Sequence, residues 1–143
     1  MIRTILASTA LAASISVHAA PEWVALSDSM ADASFIDRSS LSDTQRYVDV
    51  EVLRNFDEII TLGTDPVTGA EMYPHRSVTL DYRVDCDAGK IAMTSWKMFD
   101  GNFANGDVVW AATNYGKPAF IDAVDDETRS VLRTACATNT AAR

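Results

Sequence analysis

Apolar and polar residues alternate along much of this chain with a period of two, the signature of strands that bury one face. The clearest run is "SVTLDYRVDC", Ser77 to Cys86, where Val78, Leu80, Tyr82, Val84 and Cys86 share one side. Thr79, Asp81, Arg83 and Asp85 take the other. An earlier segment, "TQRYVDVEVLRNF" from Thr44 to Phe56, places Val48, Val50, Val52 and Phe56 together. Arg54 interrupts that face, so the end of the segment is expected to twist or to reach the rim of a sheet. Shorter candidates are "EWVALS" and "ASFID" near the start, "IAMTSWKMF" after the tight turn "DAGK", and "VVWAATN" after the longer turn "DGNFANGD". Between Asp57 and Arg76 the pattern loosens around Gly63, Asp65, Pro66 and Gly69, which predicts a loop or an irregular hairpin.

The period changes near the C-terminus. Asp125 is a capping residue, and Asp126 and Glu127 would fill a first helical turn, where the helix dipole favours negative charge. Thr128, Val131, Leu132, Ala135 and Cys136 then follow the spacing of one helical face. The tail "ATNTAAR" has nothing to bury and is expected to fray. The fold class that follows is α+β: an antiparallel sheet of about six strands with one C-terminal helix on its apolar face. The opposite face, rich in Thr, Asp and Arg, is expected to be wet.

The first residues, "MIRTILASTALAASISVHAA", have Arg3, an apolar run from Ile5 to Val17 and small residues at "VHA". This is the layout of a secretory signal peptide cleaved after Ala19, leaving one domain over residues 20–143. A run of about 13 residues broken by Ser8, Thr9 and Ser14 is too short to span a bilayer, so no stable membrane insertion is expected. An exported chain in an oxidising compartment turns its two cysteines, Cys86 and Cys136, into a disulfide. The staple would fasten helix to strand from the buried side of each. Two thiols supply at most half a zinc shell, so no metal site is expected.

Charge narrows the partners. The 143 residues hold 12 Lys and Arg against 20 Asp and Glu, and losing the leader removes Arg3 alone among them. Such an acidic surface repels phosphate backbones, which excludes nucleic acid. No motif calls for a cofactor. His18 lies in the leader, and His75 in "YPHRS" reads as an ordinary strand-entry residue after Pro74. No catalytic residue is assigned. Carboxylates occur in pairs, Asp49 with Glu51, Asp57 with Glu58 and Asp85 with Asp87, but acid–base hydrolysis needs two of them facing across a cleft. The loop from Asp65 to Glu71 lacks the residue pattern of a calcium site. Trp23, Trp96 and Trp110 read as core rather than as binding anchors. Trp96 is the hardest to place, because its face, with Ala92, Thr94 and Met98, is harder to turn inward than that of Ile91, Met93 and Phe99.

The order "WVALSDS", "SFIDRSSL", the valine-rich strand, "SVTLDYRVDC", a hairpin marked by Gly106 and "SVLRTAC" resembles the bacterial surface-adhesin protein E family, from Trp23 to Cys136. The resemblance implies a six-stranded antiparallel sheet with a C-terminal helix tethered to its concave face by a disulfide. It also implies an exported, non-enzymatic binding module for host extracellular-matrix or serum proteins, able to form a homodimer. The sequence after the leader, "AAPEW", has no cysteine to carry a lipid, so the expected location is the periplasm or surface of a bacterium. A small periplasmic interaction protein, an inhibitor or accessory subunit, is the alternative. A carboxylate-dependent hydrolase comes third. No ligand-binding residue matches a motif.

Overall fold

The valine alternation of the chain's longest strand organises the sheet. The computed structural model describes residues 20–26, 32–44 and 46–140, so the expected leader lies outside the described residues. Among the described residues eight strands form one antiparallel sheet: β1 (Trp23–Ala25), β2 (Asp32–Asp37), β3 (Ser42–Asp43), β4 (Val48–Ile60), β5 (His75–Asp85), β6 (Lys90–Phe99), β7 (Val108–Thr113) and β8 (Ile121–Asp122). The main path runs β1-β2-β4-β5-β6-β7, the six strands expected. The two others are pairs of residues: β3 lies on β4, and β8 lies on β6 beyond the end of β7.

Val48, Val50 and Val52 of β4 pair with Val84, Tyr82 and Leu80 of β5, and all six are buried on one face. Helix α1 (Asp126–Thr140) lies on that face. Asp125 caps it as predicted, its Oδ1 accepting from the Thr128 N–H at 2.8 Å. Val131 and Ala135 are fully buried against the sheet and Cys136 is half-buried. Cys86 and Cys136 are joined in a disulfide with their Cα atoms 5.6 Å apart, so the helix is stapled where β5 ends. The helix continues through Thr140, farther than its apolar face reaches and farther than the expected fraying point.

Three boundaries differ from the sequence reading. β4 begins at Val48, because Thr44 turns the chain, its N–H and hydroxyl both donating to the Tyr47 carbonyl. It also runs past Phe56 to Ile60, with a register break between Asn55 and Ile60. β5 starts at His75, two residues earlier than expected, so the irregular hairpin ends at Pro74; it is held by a Thr64–Glu71 bridge and by backbone bonds of Leu62 and Gly63 with Met72.

The second face is not simply wet. Leu53, Asn55, Ser77 and Thr79 on it are buried, and the β6–β7 turn folds over Asn55 and Ser77. Asn55 Oδ1 accepts from the Phe103 N–H at 2.7 Å, and Ser77 Oγ donates to the Gly101 carbonyl while accepting from Ala104 N–H. Phe103 and Ala104 both take the left-handed backbone needed to make this turn, and the Phe103 ring lies 5.6 Å from Phe35. Alternation identifies which residues share that side, but not which loop comes back to cover it.

Candidate functional site

The helix crosses only part of the face it lies on. Beside it the sheet is open as an apolar cleft of about 420 Å3, lined by Arg54, Phe56, His75, Val78, Leu80, Tyr82, Met93, Trp96 and Met98. Val78 and Leu80 make its floor because they continue the alternation of β5.

The β6 side of the cleft depends on a bulge. Asp81 pairs with Ser95 but its neighbour Tyr82 pairs with Met93, which leaves Thr94 as an extra residue. Thr94 Oγ1 donates to the Asp81 carbonyl at 3.0 Å, engaging a backbone group at the break in the ladder. One extra residue reverses the alternation. Ile91 and Met93 before the bulge therefore share a face with Trp96 and Met98 after it. The grouping of Trp96 with Ala92 and Thr94, expected from unbroken alternation, is corrected on this ground. Adjacent polar residues Thr94 and Ser95 were the local sign of it.

Aromatic side chains extend the cleft towards β7. Trp96 and Trp110 have ring centroids 5.1 Å apart, and Tyr73 lies 6.0 Å beyond Trp110. All three tryptophans, Trp23 included, are half-buried rather than enclosed. Trp96 and Trp110 are thus walls of an open site as much as core.

Two polar groups close the helix side. The Arg54 guanidinium donates to both carboxylate oxygens of Glu127 at 2.5–3.0 Å, and Ser34 Oγ donates to the same carboxylate. This explains how a charged residue can stand on the buried face of β4: it anchors the first turn of the helix. The hydrogen bonding to Glu127 raises the Arg54 pKa above its ordinary value, against the opposing pull of burial. At the other end His75 is buried, its Nδ1 donating to the Tyr73 carbonyl at 2.7 Å and its ring edge-on to Phe56. Burial raises the Tyr82 hydroxyl pKa.

The carboxylates lie on the other face. Asp49 receives two hydrogen bonds from Arg83 at 2.7 and 2.8 Å, a bidentate cross-strand pair. Next along, Glu51 stands directly opposite Asp81, which accepts a short hydrogen bond from Ser95. Burial raises the Glu51 pKa and the Asp81 charge raises it further. The two face a shallow recess of about 270 Å3, whose lining comes from three adjacent strands and the turn at Ser40. The remaining acid pairs named from the sequence are not brought together with a partner for chemistry: Asp85 accepts from Ala88 N–H in its turn, and Asp57 and Glu58 are exposed on β4. Among the described residues no three His, Cys, Asp or Glu side chains gather as a metal site requires. No described helix is long and apolar enough to cross a membrane.

The family model for surface-adhesin protein E matches residues 23–137. The chain belongs to that family. Its fold matches solved structures of protein E from Haemophilus influenzae. One, in crystal form II, superposes with a TM-score of 0.58 at 18% identity, covering 86% of this chain and 98% of the other. A second, from a non-typeable strain, gives 0.57 at 20% identity, covering 88% and 86%. At these identities the structures share the fold alone. No curated protein matches the chain. Membership in an adhesin family points to a binding rather than a catalytic protein, with protein partners and an exported or surface setting.

Proposed function

We propose that this chain is an exported, non-enzymatic binding module that holds a protein ligand of the extracellular-matrix or serum class. It would leave the cytoplasm behind a leader cleaved after Ala19 and work as the single domain 20–143. The observation that carries the reading is the aromatic-walled apolar cleft left open beside the helix, because Trp and Tyr in a partly desolvated recess are the usual anchors of protein recognition. The carboxylates support it from the other side. Asp49, Glu127 and Asp125 are each engaged by a structural partner, Arg83, Arg54 and the helix N-terminus.

The test has two arms. Purified residues 20–143 are titrated with immobilised matrix and serum proteins, and intact cells are treated with external protease. Saturable binding weakened by Trp96→Ala, with digestion on intact cells, supports a surface adhesin. Binding to a periplasmic protein together with complete protection would assign the second role, a periplasmic inhibitor or accessory subunit. Turnover of a glycoside or ester that Glu51→Gln abolishes would replace both with the hydrolase, since Glu51 and Asp81 combine a poorly solvated carboxyl with a close neighbour.

A further inference from the structure

Natural sheets guard their edges with charge, proline, bulges or brevity. β1, at one end of the path, is three residues long. β7, at the other end, has six residues, "VVWAAT", with neither charge nor proline, and among the described residues it pairs on one side only. The ladder shows what that edge offers. The Asn114 N–H donates to the Thr94 carbonyl at 2.7 Å, and residues of an antiparallel pair alternate between facing their partner and facing away. Thr113 and Ala111 therefore direct their N–H and C=O groups outward, and both residues are exposed.

Side chains alternate with the same period. Trp110 and Ala112 lie opposite Met98 and Trp96, on the face that carries the cleft. The unguarded edge and the uncovered half of the apolar face thus meet at Trp110, which contacts Tyr73 on one side and Trp96 on the other. A strand laid along β7 would use both openings at once.

We propose that β7 takes up an extended segment of the protein partner as an added strand, with alternate apolar side chains seated over Trp110 towards the cleft. Charge selects its flanks. Asp107 precedes β7, Asp100 stands beside Asp107 across the turn, and the whole chain is acidic, so the segment is apolar in alternation and bordered by Lys or Arg. A second copy of this chain would bring the same acidic surface to the edge and is the less complementary occupant. The inference rests on the binding-module reading and names the element that binds.

The probe is a synthetic peptide of six alternating valines and threonines with two lysines at each end. Its match carries an N-methyl group on every amide of the six-residue core, so neither of its edges can donate to a sheet. At ten times its Kd the first peptide should slow amide exchange at Ala111 and Thr113 about tenfold, by mass action. The methylated peptide should not. Ala111→Pro, which removes an outward donor without touching the bond to β6, should keep the melting temperature and lose the protection. No protection at either amide, or protection that the methylated peptide reproduces, overturns the proposal. Protection that rises with protein concentration and needs no peptide overturns it in favour of self-pairing. A natural partner whose binding ignores Ala111→Pro also sinks it, while leaving the binding-module reading intact.

Discussion

Removing the Cys86–Cys136 bond separates two ways in which the helix is held. The bond closes a loop of 50 residues. On the chain-entropy relation, opening it gives the unfolded chain about 14 cal/mol/K, or about 4 kcal/mol at 25 °C. For a domain of this size each kcal/mol moves the melting temperature by about 3–6 °C, so the double variant Cys86→Ala/Cys136→Ala should melt about 12–24 °C lower. The loss should be uneven in space. The first turn keeps the Arg54–Glu127 pair and the middle keeps Val131, whereas the turn containing Cys136 has lost its bond. Amide exchange should therefore rise most from Ala135 to Ala137 and least at Val131. Differential scanning calorimetry and exchange on the same sample check both parts. An unchanged melting temperature, or uniform exchange along the helix, would refute the reasoning.

Glu127→Gln should cost about 1–2 kcal/mol, less than for a fully buried pair because Arg54 stays nearly half exposed; denaturant unfolding checks it, and the loss should be matched by Arg54→Met. Glu51→Gln should stabilise at neutral pH. Its folded pKa is raised, first by burial and then by Asp81, so the charged form is the strained one above that pKa; as pH falls the parent takes up a proton, and the advantage of the variant should shrink towards zero. Melting curves from pH 7 down to about pH 4 follow this directly, and a gap that widened as pH fell would contradict it. Gly106→Ala should destabilise by about 1–3 kcal/mol in thermal melts, since Gly106 sits at φ +87° and an added Cβ would collide with Asp100 Oδ1, itself held by the Asp107 N–H.

The sheet and helix were legible because their periods are unbroken where they matter. Val48, Val50 and Val52, the run from Val78 to Val84, and the spacing from Thr128 to Cys136 each carry their own face, and two cysteines admit a single intramolecular pairing. Arg54 was legible only as an interruption; its partner Glu127 lies 73 residues away, and no local pattern joins them. The covering of Ser77 and Asn55 by the β6–β7 turn was hidden for the same reason. β8 was missed because two residues, Ile121 and Asp122, cannot display a period at all. The cleft was half visible: Val78 and Leu80 were placed correctly, while Met93, Trp96 and Met98 were split between faces by alternation that takes no account of Thr94.

That extra threonine has an evolutionary consequence. Loops in a family such as this can lengthen or shorten without altering what the sheet displays, whereas the bulge in β6 decides which residues face the cleft. Straightening it while Thr94 stays in the ladder would turn Trp96 and Met98 to the other face and bring Lys97 onto the cleft face. Two relatives with the same residues in the same order could therefore present opposite surfaces. Whether the bulge forms, more than the identity of Met93 or Trp96, is the feature by which ligand-binding members could diverge from silent ones.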